Sequence, residues 1–288
     1  MTSTLESTTH SPRAVRRAAI VTHGKAQTIG PALARLEAIA RDRGVELLFP
    51  PEEREKHGLD APPCEPEEAD IAIVLGGDGT MLRALARFLG TDVPVIGVNF
   101  GRVGFLASIA PDELEAGISR VFAGEYRVLE LPTLAVEAAG ATHHAVNDIV
   151  VHGSRLGRMV ELAWEVGGED LGQVPCDGVV VSTPSGSTAY NLSNGGPVLV
   201  RGLDAMAVTF VAPHSLHARP LVVPRGLDLV VRNRTPDVPV TVIVDGHPVT
   251  EVRPGGHVPV RLGDERSLLS TLPESTFFRR YRETFVRL

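Results

Sequence analysis

The stretch Asp70–Leu75 is an unbroken apolar run after its acidic first residue, and it empties directly into Gly76-Gly77-Asp78-Gly79-Thr80. A helical stretch, Met81–Leu89, follows. A strand without polar alternation is buried on both faces, and one that leads through glycines into a helix opens a crossover unit. This segment therefore calls for a parallel sheet covered by helices. Flanking residues keep the same rhythm. Ala18–Thr22 is a short apolar run ending at His23-Gly24-Lys25, and Ile29–Arg43 carries Leu33, Leu36, Ile39 and Ala40 at helical spacing. Val45–Phe49 and Val93–Val98 read as strands, and Pro111–Ala123 reads as a helix. Residues 50–69, dense in Pro and Glu, read as a surface loop.

From about Arg127 the rhythm changes. Short strands dominate: Thr133–Ala138, Ala145–Val151, Val160–Val166, Gly178–Ser182, Ala207–Val211, Asp228–Arg232, Val240–Val244 and Val258–Leu262, punctuated by Gly, Pro and Asp-Gly turns. Thr276–Phe285 closes the chain as an amphipathic helix with Phe277, Phe278, Tyr281 and Phe285. The expected organisation is a tail over 1–17, an α/β domain with a Rossmann-like parallel sheet over 18–126, and a β-rich domain over 127–271. Residues 272–288 are expected to pack back on the first domain.

Composition narrows the function. A net charge of −7 advertises neither a nucleic-acid surface nor one for anionic membranes. An anionic ligand would need local donors: amides, helix N-termini or a few Arg. Cys64 and Cys176 make no disulfide framework and no zinc pattern, so both read as reduced thiols. The Ser/Thr-rich start has no apolar segment of a secretory signal, and Arg13, Arg16 and Arg17 read as part of a solvated tail. Runs such as Ala205–Ala212 fall far short of the roughly 20 residues that span a bilayer.

Chemistry concentrates in four places. At 76–80, glycines let amides approach a phosphate and the helix start favours negative charge. Asp78 among them would repel a polyphosphate unless a metal ion or a hydroxyl stands between, which suits a general base or a metal-organising carboxylate in phosphoryl transfer. The plainer alternative is a turn in which Asp78 caps the helix. Asn99-Phe100-Gly101-Arg102-Val103-Gly104-Phe105-Leu106 leaves the next strand in the same way. Asn147-Asp148 interrupts a strand with an amide and a carboxylate suited to ribose hydroxyls, or faces water at an edge. Asp177–Pro197 runs from a buried strand into hydroxyls and glycines around Tyr190, with Ser185, Thr188, Ala189 and Ser193, as a polar pocket or as a structural loop. His152, Arg155 and Arg158 could neutralise phosphates or simply sit on a surface loop. His214 and Arg219 read rather as turn-locking residues, and Asp245-Gly246-His247 as a hairpin turn. No Walker loop and no G-x-G-x-x-G after the first strand occurs.

Taken in order, GGDGT (76–80), GVNFGRVGFL (97–106), ND (147–148), CDGVVVSTPSGSTAYNLSNGGP (176–197), PHSLHARPLVVP (213–224) and DGH (245–247) resemble the NAD kinase family. The resemblance implies a two-domain cytoplasmic enzyme that phosphorylates the 2′-hydroxyl of the adenosine ribose of NAD. The donor would be ATP or polyphosphate, used with Mg²⁺ or another divalent cation. It implies Asp78 as the base in a loop of Gly76, Gly77, Gly79 and Thr80, with Asn99 on the adjoining strand end. Asn147 and Asp148 would hold the dinucleotide. Asp177, Ser185, Thr188, Ala189, Tyr190 and Ser193 would line its pocket, with Arg158 and His247 at the edge. It also implies a homo-oligomer, dimer or tetramer. Ser185 stands where Thr is usual, Asn194 where Ala is common and His247 where Gln is frequent. A lipid kinase sharing GGDGT would need an acyl pocket, and a non-catalytic dinucleotide sensor would lack Asp78.

Overall fold

The structure, a computed structural model, describes residues 13–24, 26–60, 65, 68–101, 104–155 and 157–286. The expected tail up to residue 12, Lys25, Cys64 and the Arg102-Val103 pair of the second glycine block lie outside these described residues. The chain divides into two compact units, Met1–Glu130 with Ser267–Leu288, and Leu131–Arg266.

The first unit is the expected α/β layer. Strands β1 (Arg17–Thr22), β2 (Glu46–Leu48), β3 (Ile71–Gly76) and β4 (Val95–Asn99) pair in parallel in the order β2-β1-β3-β4. Helices α1 (Ala26–Arg43), α2 (Pro51–His57), α3 (Asp78–Arg87) and α4 (Leu114–Phe122) accompany them. β3 is buried along its whole length, as its unbroken apolar run requires. Ile20, Leu36, Ile73, Leu75, Ile96, Leu114 and Ile118 belong to one core.

Two expectations fail here. Val15 is buried and Arg17 opens β1, pairing with Glu46 at 3.2 Å and Glu68 at 2.8 Å. The end of the basic cluster is therefore built into the sheet and is not solvated tail. Residues 51–57, read as loop, form α2, which has proline in its first turn and ends at Gly58 with φ 63°. Both are start and stop signals of a helix. α2 turns a charge inward. Glu53, only 1% exposed, accepts from the Thr22 hydroxyl at 2.6 Å and from Lys56 Nζ at 2.8 Å, where β1 ends.

The second unit is β-rich. Its strands are β5 (Arg127–Ala138, entering from the first unit), β6 (Ala141–Ala145), β7 (Asp148–Gly153), β8 (Val160–Val166), β9 (Glu169–Cys176) and β10 (Gly178–Ser182). After the short helix α5 (Tyr190–Ser193) come β11 (Ala205–Val211), β12 (Leu221–Pro224), β13 (Leu229–Asn233), β14 (Val240–Val244), β15 (His247–Val252) and β16 (His257–Thr271). One antiparallel sheet runs β12-β11-β10-β7-β14-β15. In the other, β16, β13, β8 and β9 are neighbours, and β5 pairs with β16 and β6. Leu162, Leu229 and Val231 from one sheet and Val151, Val181 and Val208 from the other share a single core. β9, β12 and β15 add to the expected strands; they are polar or exposed edges without clean alternation, which gives no strand signal in the sequence. The strand expected over 145–151 breaks at Val146-Asn147.

The chain then returns to the first unit. Leu269 pairs in parallel with Val95, and α6 (Phe277–Phe285) follows, capped by the Thr276 hydroxyl accepting from Arg279 N–H at 3.2 Å. Among the described residues no helix is long and apolar enough to cross a membrane.

Replacing Glu53 with Leu removes the only carboxylate that meets Lys56 and the Thr22 hydroxyl among the described residues, leaving the ammonium just the Thr22 oxygens and the hydroxyl just the His57 ring as alternatives in a mostly dry site. The variant should lose about 2 kcal/mol of unfolding free energy, scaled down from a fully buried pair because Lys56 reaches solvent. Urea unfolding measures it, and an unchanged midpoint contradicts the reading.

Candidate active site

The glycine loop begins where β3 ends. Gly77 precedes the helix in extended conformation, and Asp78 is already the first residue of α3. The helix thus starts three residues earlier than the sequence pattern indicates, so Asp78 sits at a helix start and not in mid-loop. Such a position favours a carboxylate. The carboxylate does not cap α3. Its Oδ2 accepts from Phe105 N–H at 2.7 Å, and its Oδ1 accepts from Leu106 N–H at 3.2 Å and Ala107 N–H at 3.3 Å. Gly104 is what lets this segment come so close, since a Cβ there would lie 2.2 Å from Asp78 Oδ2. Gly79 is exposed and a Cβ on it would meet nothing within 4 Å, so the loop has an open face beside Asp78. Thr80 is buried, with its hydroxyl 3.5 Å from His23 Nδ1.

Asn99 lies beside Gly76 in the register of β3 and β4. Its Oδ1 accepts from Gly101 N–H at 3.0 Å, so it shapes the second glycine turn. It also lines a cavity of about 510 Å³ with Phe100, Gly101, Ser108, Arg279 and Arg280. None of residues 76–80 lines that cavity, so its size is no guide to where Asp78 acts.

In the second unit an aspartate again organises its neighbours. Asp245 and Gly246 turn between β14 and β15 with φ of 46° and 82°, as a two-residue hairpin turn demands. The Asp245 carboxylate accepts from Val146 and Asn147 N–H at 2.8 Å and from Asp148 N–H at 3.0 Å. The turn read as simple is therefore the clamp that fixes Asn147-Asp148. From the other side, Thr183 Oγ1 donates to Val146 O at 2.6 Å and accepts from Gly186 N–H at 3.0 Å. A Cβ on Gly186 would lie 2.1 Å from Asn147 O, so only glycine fits.

This clamp leaves two buried polar groups without partners. Asn147 Oδ1 and Ser185 Oγ are both buried without a hydrogen-bond partner, and a buried polar atom in a native protein normally has one. Asp148 is 7% exposed, and burial, followed by the nearby Asp245 charge, pushes its carboxyl up to about 7. Burial likewise raises Asp245, while the three amides work against that rise.

The remaining expected residues divide. Thr188, Ala189, Tyr190 and Ser193 follow Ser185 on one turn and α5, with the Tyr190 ring 40% exposed. Asp177 joins β9 to β10. Arg158 forms an exposed pair with Asp237 at 3.0 Å, and exposed His247 turns its ring onto Asp245 O at 3.1 Å. Several hydroxyls and amides of the loop prove structural. Ser187 bonds Pro184 O and Leu199 N–H, and Asn191 bonds Ser187 O, Pro197 O and the Thr209 hydroxyl. Arg219 donates to Leu216 O and Ala218 O, the turn-locking role expected of it.

The Asp148 shift has a signed consequence. Its carboxyl ionises near 3.8 in an ordinary setting and near 7 in the fold, so the folded state keeps a proton that the unfolded chain releases between those values. The stability this gives is complete below pH 4 and is lost as pH rises through 7. Asp148→Asn should therefore melt several degrees above the parent at pH 8, with the gap closing toward pH 4. An equal gap at both ends contradicts the assignment.

These two clusters correspond to known domains. Residues 26–126 match the ATP-NAD kinase N-terminal domain and residues 146–271 the ATP-NAD kinase C-terminal domain. The NAD kinase of Gemmatimonas aurantiaca is 37% identical over 245 residues, 82% of each chain. That of Corynebacterium diphtheriae is 35% identical over 269 residues, 86% of this chain and 84% of the relative. Among solved structures, yeast NADH kinase complexed with NADH shares the fold, with a TM-score of 0.83 over 98% of this chain and 93% of that one at 21% identity. An NAD kinase from Archaeoglobus fulgidus in complex with ATP gives 0.73 over 93% and 97% at 26% identity. With both domains matched in sequence and in fold, the chain belongs to the NAD kinase family.

Proposed function

We propose that the chain transfers the γ-phosphoryl group of ATP to the 2′-hydroxyl of the adenosine ribose of NAD, with Asp78 accepting the hydroxyl proton. The ribose oxygen bonds to the γ-phosphorus as the bond from that phosphorus to the β,γ-bridging oxygen breaks. NADP and ADP leave, and the proton rests on Asp78.

The observation that carries the proposal is the grip on the Asp78 carboxylate. A carboxylate has about four acceptor positions. Among the described donors, two amides meet Oδ1 and one meets Oδ2, which leaves a place on Oδ2 for an alcohol. A sugar hydroxyl is a poor nucleophile at neutral pH, and a positioned base contributes on the order of 10²–10⁴-fold. Fixed in advance by backbone amides, the base needs no reorganisation during transfer. The open Gly79 gives the ribose room beside it, and Gly76, Gly77 and Thr80 set the turn.

Asn147 and Asp148 would hold hydroxyls or the base of NAD, as would Ser185 through its unpartnered oxygen. Asp177, Thr188, Ala189, Tyr190 and Ser193 would complete the pocket, with Arg158 and His247 at its margin. ATP as donor is supported by the Archaeoglobus fulgidus relative, whose structure carries ATP. Among the described residues no three His, Cys, Asp or Glu side chains gather as a metal cage. Mg²⁺ or another divalent cation would be held chiefly by nucleotide phosphates and water, where it would neutralise phosphate charge. A cytoplasmic homo-oligomer completes the proposal, on the strength of the family resemblance alone.

Incubation with ATP, Mg²⁺ and NAD, followed by a coupled NADP assay, tests the reaction, and polyphosphate in place of ATP tests the donor. Asp78→Asn should lower kcat by at least 10²-fold while the Kd for NAD stays within about threefold. Near-normal kcat in that variant removes the base assignment.

A further inference from the structure

The three amides that hold Asp78 belong to a segment that is itself held by the C-terminal helix. Ala107 donates its N–H to Asp78 Oδ1 and accepts at its carbonyl from Arg280 at 2.8 Å, an α6 side chain only 15% exposed. The Phe105 ring lies between two rings of the same helix, with centroids 5.8 Å from Phe277 and 5.7 Å from Phe285. α6 is fastened in turn, since Glu274 just before it accepts from both terminal guanidinium nitrogens of Arg120 on α4, at 2.6 and 3.1 Å. On the inner side, Ser108 and Ile109 N–H both bond Gly97 O on β4. The segment is thus pinned between β4 and α6, and the 510 Å³ cavity walled by Arg279, Arg280 and Glu283 leaves it room to shift if α6 lets go.

We infer that α6 sets the catalytic geometry of this enzyme, with Arg280 and Phe285 as positioning residues that act on Asp78 through the Phe105–Ala107 amides. The inference rests on Asp78 being the base. Neither α6 residue needs to touch NAD or ATP. The guanidinium fixes the Ala107 carbonyl, the rings fix Phe105, and the two together fix the N–H groups that aim the carboxylate. A backbone shift of about an ångström at a reacting group can cost up to 10²-fold in rate. The loss should fall on kcat, because nucleotide binding is assigned to other residues.

The experiment is a double-mutant cycle between position 280 and position 78, assayed for NADP formation at high enzyme concentration. Arg280→Met should lower kcat about 10- to 100-fold with the KM for NAD within about twofold, and Arg280→Lys, which keeps a donor, should recover most of it. Hydrogen exchange should quicken at 104–109 in Arg280→Met and stay unchanged across the second unit. In the Asp78→Asn background, Arg280→Met should change kcat by less than about twofold. If Arg280→Met fails to fold, Phe285→Leu on the exposed side of the helix takes its place in the same cycle. Wild-type kcat in a folded variant, or losses that multiply with those of Asp78→Asn, overturns the inference while the base assignment stands. Near-normal turnover in Asp78→Asn alone overturns both.

Discussion

A carboxylate gripped by three consecutive backbone amides is the interaction on which the proposed chemistry of the first unit depends. It requires that β3 end in glycines, that α3 begin at Asp78, and that a second strand exit bring Gly104 to within reach with no side chain in the way. Each requirement places a residue. Charge-assisted bonds of this kind are stronger than neutral ones, so the three amides hold the carboxylate in one orientation.

The second unit uses the same device for another purpose. Asp245 also takes three successive amides, those of Val146, Asn147 and Asp148, and also sits beside a glycine. Its grip fixes the Val146–Asp148 backbone, and with it the segment that carries the unpartnered Asn147 Oδ1 and the Asp148 carboxyl that burial pushes up to about 7. One aspartate per unit does the local ordering. What separates their roles is access, since the loop at Asp78 opens at Gly79, whereas the Asp245 carboxylate is shut in by the segment it holds.

How much of this could be read from the residues follows from which contacts are local. The strand-to-glycine exits, the alternation of strands and helices before Arg127 and the strand-rich remainder are short-range patterns, and the architecture follows from them. α2 was also legible, through Pro51 and Gly58, but its Glu-rich composition looked like loop because Glu53 points inward only when Thr22 and Lys56 are there to receive it. The clamps were not legible. Asp78 meets residues 27 to 29 positions away, and Asp245 meets residues nearly a hundred positions away. No period or turn rule carries such pairings. The hydroxyl-rich loop was ambiguous for the same reason: Thr183, Ser187 and Asn191 spend their polar groups on stitching the loop together, which leaves the Ser185 hydroxyl buried without a partner and Tyr190 exposed.

The central claim is that a pre-aimed carboxylate receives the proton of one particular alcohol. A crystal structure with NAD and a non-hydrolysable ATP analogue tests it directly. The account predicts the 2′-oxygen of the adenosine ribose about 3 Å from Asp78 Oδ2, with the Phe105–Ala107 amides still in place. A 2′-oxygen lying instead against another acidic group, with Asp78 out of hydrogen-bond reach, would contradict it.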